Sequence, residues 1–287
     1  GTVYMVLTFG IAGGTIVPLS QFWGKGDTRS TRSILSIMYR VTLALSLLFT
    51  AAARFFPELI LSLFSSDPLV IAAGSRYLAL VCFSYTLNGM TNVMLMSLRS
   101  VGTVGISILV YSSSFFANTA LNWVLIFGKL GFPALGMEGA AIATIIARAL
   151  ELTIASVYLF GFEKKIGYTL RDVAVYDRSF AKDFAINVTP VMLNELIWSL
   201  GNSTVIAIMG RMGRDLVSAN AIANITAQFT QIFIIGIANA ASVVIGNGIG
   251  MGEQERTKAL AKALVVVAGG FGLVAAGLML LLRGPVI

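Results

Sequence analysis

Eight apolar segments follow one another along the chain, each long enough to cross a bilayer. They run over residues 1–22, 33–53, 77–98, 104–128, 138–162, 184–209, 216–248 and 259–282. About 20 predominantly apolar residues in helical form match the hydrocarbon thickness. Lipid offers no partner to an open sheet edge, so segments of this length are helices. Composition agrees, with 57% hydrophobic and 11% charged residues and a mean hydropathy of +0.87. The fold class that follows is an all-α membrane protein, a polytopic helical bundle, with the lipid bilayer as its first partner.

The connections give an orientation. Twelve basic residues fall on one side: Lys25, Arg29, Arg32, Arg99, Lys164, Lys165, Arg171, Arg178, Lys182, Arg256, Lys258 and Lys262. Six fall on the other (Arg54, Arg76, Lys129, Arg211, Arg214 and Arg283), and Arg40 and Arg148 lie inside segments. The positive-inside rule therefore places 163–183, the longest polar connection, in the cytoplasm of a multi-pass protein of the cell membrane. The net charge of +7 arises in such loops, so nucleic acid is not an expected partner. Histidine is absent, which removes His-based catalysis and His metal sites. Cys82 is the only cysteine, so no internal disulfide is possible. An enzyme embedded in the membrane finds neither paired acids at catalytic spacing nor a nucleophile–base pair.

Polar residues within the apolar segments carry the functional reading. Thr189–Gly210 (TPVMLNELIWSLGNSTVIAIMG) holds Glu195 close to its start. A carboxylate costs about 3 kcal/mol at the centre of a spanning helix, so it faces a watery or protein-lined interior, or snorkels to the boundary. Asn194, Trp198 and Asn202 add polarity around it. Asn118 and Asn122 stand one turn apart, and can hold a hard cation, hydrogen-bond a substrate or join helices. Asn220, Asn224, Gln228 and Gln231 form an uncharged stripe that suits a water-filled cleft or a neighbouring helix. Arg148 and Glu151, three apart, can pair with each other and read as a structural ion pair, with a proton relay as the alternative. Gly13–Gly14, Gly136, Gly139 and Gly246–Gly250 read as sites of close helix packing. Asp67 and Pro68 read as the cap and first residue of a short interfacial helix.

An internal repeat sets the architecture. Shifted by 226 residues, GIAGGTIVPLSQFWGKGDTRSTR (10–32) falls on GIANAASVVIGNGIGMGEQERTK (236–258). Gly10, Ile11, Ala12, Val17, Gly24, Gly26 and Thr31 meet identical residues, and Asp27 meets Glu253. The copies are six spans apart, so they point the same way, as parallel repeats do in transporters. The pattern divides the chain into an N-terminal lobe over 1–162 without its first helix, a linker over 163–183, and the start of a second lobe over 184–287. The intact protein is expected to have two six-helix halves.

At these residues the chain resembles the multidrug and toxic compound extrusion antiporters. SQFWGKGD, LRSVG, NWVLIFGKLGFPALGMEGAAIAT and TPVMLNELIWSLG with IMGRMG carry the resemblance. It implies twelve helices in two six-helix lobes around a cleft, and export of small amphipathic organic cations in exchange for Na+ or H+. The coupling ion is then the only cofactor, and a monomer is expected. The chain would begin in the second helix and stop in the ninth. Asn118 and Asn122 resemble the polar pair of the fifth helix, Thr144 the threonine of the sixth, and Glu195 the acid of the seventh. Those four would serve ion coupling, while Asn194, Trp198, Asn202, Asn220, Asn224, Gln228 and Gln231 would line the cleft. A lipid-linked oligosaccharide flippase of the same superfold is the alternative, for which Arg40 and Arg148 are the only basic candidates.

Overall fold

The computed structural model describes residues 2–62, 68–169, 171–174, 178–212 and 214–286, and among these there is no strand. The helices are α1 (Thr2–Gly24), α2 (Thr28–Phe55), α3 (Pro57–Ser62), α4 (Pro68–Val81), α5 (Phe83–Ser100), α6 (Gly105–Phe127), α7 (Gly136–Val157), α8 (Arg178–Met212), α9 (Arg214–Gly250) and α10 (Gln254–Val286). Five described helices are long and apolar enough to cross a membrane, or six when the bent pair α4 and α5 counts as one span. The other two expected spans are the helices α6 and α8, 23 and 35 residues long. Serines and asparagines dilute α6, and Lys182, Asp183 and Glu195 dilute α8. The chain is thus a multi-pass integral membrane protein.

Three segments differ from their sequence expectation. The third span starts at Pro68, nine residues early, and bends by 45° between α4 and α5. Pro68 takes a first helical position as expected, but in the spanning pair rather than in a short interfacial helix; Asp67 lies outside the described residues. At the bend the Cys82 carbonyl accepts from Thr50 Oγ1 at 3.1 Å and the Tyr85 amide at 3.0 Å, so a side chain from α2 meets a group that a straight helix would bond itself. The fifth segment ends in one π-helical turn, Tyr158–Phe162.

The connection 163–183 is not a loose tether. Its last residues already belong to α8, and its first part lies across α2. Arg32 Nε donates to the Ile166 carbonyl at 2.8 Å, Ser36 Oγ to the Asp172 carbonyl at 2.7 Å, and Arg40 Nε to the Val173 carbonyl at 2.8 Å. Ile166 and Tyr168 are buried in the main core with Leu35, Leu98 and Leu159. Burial raises the Tyr168 phenol to about 12. The opposite surfaces of the bundle carry exposed Leu48, Phe115, Phe116, Ile197 and Val265, which suit lipid.

The repeat proposed from sequence is present as geometry. After α1, the amides of Lys25, Gly26, Asp27, Thr28 and Thr31 bond to the carbonyls of Gln21, Trp23, Phe22, Gly26 and Asp27. After α9, Met251, Gly252, Glu253, Gln254 and Thr257 bond to Asn247, Ile249, Gly248, Gly252 and Glu253, every partner displaced by 226. Gly26 and Gly252 take φ of +73° and +77°, a left-handed conformation open to glycine at little cost. Asp27 caps α2 through the Ser30 amide. Hydrogen bonds from Ser30 hold its carboxyl below the usual range, so this cap persists at neutral pH and weakens only as pH falls below about 4.

The two turns also lie against each other. A Cβ on Gly24 would overlap the Asn247 carbonyl, and one on Gly250 would overlap the Gln21 carbonyl. Residue 247 is the image of 21 and residue 250 the image of 24, so the contact is reciprocal, as a two-fold axis between α1 and α9 requires. Gly14 seats the backbone of α8 in the same way, 2.7 Å from its Cβ position to Val188 Cα, and Gly139 takes the Leu125 carbonyl at 2.6 Å. Gly136 differs from expectation: it has open space and φ of +55°, and serves the turn before α7.

Overpacking at such a site costs about 1–3 kcal/mol. Gly24→Ala should therefore lower the thermal unfolding midpoint of the detergent-solubilised protein. Gly201→Ala, in open helical space, should leave it unchanged or raise it slightly. Equal effects of the two would refute the close contact.

Candidate ion and substrate site

The antiparallel pair α6 and α7 carries one group of candidates. Leu125 lies against Gly139, and Ser114 Oγ reaches the Ala147 carbonyl at 3.5 Å. This register sets Asn118 level with Thr144 and Tyr111 level with Glu151. Asn122 Nδ2 donates to Asn118 Oδ1 at 3.0 Å, so the expected pair is formed within one helix. Asn122 Oδ1 is buried and has no hydrogen-bond partner among the described residues, an acceptor left for a cation or donor. Thr144 Oγ1 donates to its own helix, to the Ala140 carbonyl at 2.9 Å.

Two turns further along the same faces lie Arg148 and Glu151. Arg148 Nη1 donates to both carboxylate oxygens, at 2.8 and 2.9 Å. The Glu151 side chain is 2% exposed and that of Arg148 31%. The pair read from sequence is therefore real, and it is asymmetric: a buried anion beneath a cation that reaches outward.

Sequence reading passed over the neighbours of this pair. Tyr111 Oη donates to Asn92 Oδ1 at 3.1 Å, and Asn92 Nδ2 donates to Asn88 Oδ1 at 2.6 Å. Arg99 Nε donates to Ser107 Oγ at 3.1 Å. The spacing of Asn88 and Asn92 is that of Asn118 and Asn122, and was a visible signal. Tyr111 gave none.

Glu195 sits elsewhere. It is half-buried on α8, which packs on α1, α2 and α9, whereas α6 packs on α7. The structure does not bring Glu195 together with Asn118, Asn122 and Thr144. Asn194, Trp198, Asn202, Asn224, Gln228 and Gln231 are exposed and Asn220 is half-buried. Among the described residues none of these seven makes a side-chain hydrogen bond. A cavity of about 450 Å³ lies instead between α9 and the α1, α5 and α6 helices, lined by Ile16, Arg99, Tyr111, Gly236, Asn239 and Ala240 among others.

Long apolar helices with polar residues within them define an all-α polytopic membrane bundle. Comparison with known proteins agrees. The sequence profile of the MatE family matches residues 1–124 and 190–287. The chain belongs to the MatE family.

It is 28% identical over 273 residues to a probable multidrug resistance protein NorM of Agrobacterium fabrum, covering 90% of the chain and 56% of that protein. To the probable multidrug resistance protein YoeA of Bacillus subtilis it is 24% identical over 253 residues, covering 88% and 55%. The chain thus spans just over half the length of these relatives. Among solved structures, a MOP superfamily transporter from Pyrococcus furiosus superposes with a TM-score of 0.85 at 18% identity, over 99% of this chain and 62% of that one.

Removing one partner of a buried pair leaves a charge without compensation, whereas removing both is far less costly. Arg148→Met should cost about 3 kcal/mol, read as a lower unfolding midpoint. The double variant Arg148→Met/Glu151→Met should recover most of that loss. Additive losses would show that the two side chains are not coupled.

Proposed function

We propose that this chain is part of a secondary active exporter of small amphipathic cations, driven by Na+ or H+ exchange through alternating access between two six-helix lobes. The single observation that carries the reading is the 226-residue repeat, whose exit turns recur bond for bond and meet reciprocally at the ends of α1 and α9. The cavity wall supports the two-lobe form. α8 seats on Gly10, Gly13 and Gly14, and the images of those residues, Gly236, Asn239 and Ala240, line the cavity. A helix related to α8 by the same shift would seat there. Residues 1–162 then belong to one lobe and 184–287 to the other, with 163–183 on the cytoplasmic face of the cell membrane. The transporter works as a monomer.

In this reading Glu195 titrates or holds the coupling ion, and Asn118, Asn122 and Thr144 serve the ion site of the first lobe. Asn194, Trp198, Asn202, Asn220, Asn224, Gln228 and Gln231 line the cleft. The flippase alternative loses one of its basic candidates, since Arg40 holds the linker backbone.

The test is ethidium efflux from proteoliposomes carrying the full-length protein, under imposed Na+ and H+ gradients. Glu195→Gln keeps size and hydrogen bonding but removes the charge; it should insert normally and lose coupled efflux, while Glu195→Asp keeps part. Wild-type rates in folded Glu195→Gln, with unchanged ion dependence, would make Glu195 structural. Absence of efflux by the wild type under both gradients would overturn the exporter reading.

A further inference from the structure

The α6–α7 seam carries polar groups along much of its length. From one end they are Asn122, Asn118 level with Thr144, Ser114 against Ala147, and Tyr111 level with Glu151. Seven residues separate Thr144 from Glu151, a rise of about 10 Å. These groups follow one another along the seam, though both helices carry further polar residues, among them Ser112, Ser113 and Thr119 on α6 and Thr153 on α7. Such a track suits a small cation moving between oxygen ligands, yet Asn118, Asn122 and Thr144 are uncharged. Exchange of a monovalent cation or proton needs a carboxylate. On α6 and α7 only Glu138 and Glu151 qualify, and Glu138 is exposed at the start of α7.

Glu151 has the environment of such a group. It is 2% exposed, so its charge requires a cation at all times. Arg148 supplies one with a single nitrogen, Nη1, on both oxygens. Nε and Nη2 are not used within the described residues, and the side chain reaches outward, so Arg148 can swing away without breaking other bonds. A pair built only for stability would use the fork of the guanidinium on both oxygens. The charged and titratable groups around Glu151 are Arg148 on α7, Tyr111 on α6 and Arg99 on α5; Arg99, Glu151 and Arg148 each act electrostatically on Tyr111. α4, also packed on α7, carries Arg76 and Tyr77.

We propose that Glu151 is the carboxylate of the coupling-ion route in this half of the molecule, and that Arg148 is its tethered counter-ion, displaced when Na+ or a proton arrives. The arriving cation takes the buried carboxylate, and the freed guanidinium turns outward, where its positive charge disfavours a cationic cargo nearby. Ion and cargo are thereby coupled with opposite sign, as exchange requires. The proposal rests on the exporter reading and adds a second acid to Glu195, on a separate helix pair.

The test separates the two. Ethidium binding to the full-length protein in detergent is followed by fluorescence anisotropy while Na+ is varied at fixed pH, and pH at fixed Na+. In the wild type, Na+ or protons should weaken ethidium binding about tenfold or more, a coupling within the usual range. Folded Glu151→Gln should lose most of that dependence, keeping only the part that Glu195 supplies, so that Glu151→Gln/Glu195→Gln responds to neither. Dependence of the wild type on Na+ alone identifies Na+ as the displacing cation, and dependence on pH alone identifies the proton. Should Glu151→Gln unfold, Arg148→Met/Glu151→Met, which keeps a compensated core, serves in its place with the same expected loss. A folded variant that retains the wild-type dependence overturns the proposal. Ethidium binding without efflux in the wild type would instead overturn the exporter reading.

Discussion

The contact between the ends of α1 and α9 sets the arrangement of everything around it. Two helix backbones can touch only where side chains are absent, and Gly24 and Gly250 provide that on each partner in turn. The same exit turn follows both helices, so one local sequence solution is used twice and placed face to face. The seam is not fully satisfied. Ser20 Oγ and Asn247 Oδ1 are buried there with no partner, and Asn247 Nδ2 makes only a 3.3 Å bond to the Ser100 carbonyl. An orphaned buried polar atom costs about 1–3 kcal/mol. A seam that is tight in shape but short of hydrogen bonds suits a joint that closes and opens.

Around that joint the polar groups divide into two sets. One follows α6 and α7 and contains a buried carboxylate with its own cation. The other follows α8 and α9, with a half-buried Glu195 and exposed amides. In the proposed exchange, two sites on different helix pairs respond to one another only through movement of those pairs. The linker, bonded to α2 through Arg32, Ser36 and Arg40, joins α7 to α8.

Most of the fold was legible in the sequence because lipid leaves few choices. Length and apolarity pointed to the helices, and the shared polar exit pointed to two matching turns, including their glycines at positive φ. The bend at Cys82 was not legible, since Thr50 meets the freed carbonyl from another helix. The packing of the linker was hidden likewise, because carbonyls accept from Arg32 and Arg40 whatever side chains they carry. Arg148 and Glu151 were found by spacing, but their unequal burial depends on what α5 and α6 bring. Asn118 and Asn122 bond to each other within α6, while Thr144 bonds within α7. Glu195 was grouped with them through the family resemblance, and the packing of α8 on α1 separates it from them.

The central claim is that the two halves meet at the α1 and α9 ends and part there during transport. Spin labels at Lys25→Cys and Met251→Cys, both exposed beside the seam, in a Cys82→Ser background, measure it directly by pulsed electron–electron distance spectroscopy. The account predicts two distance populations in lipid, with a ratio that shifts when ethidium, Na+ or protons are added. A single short distance, unchanged under every condition in a protein that transports, would contradict it.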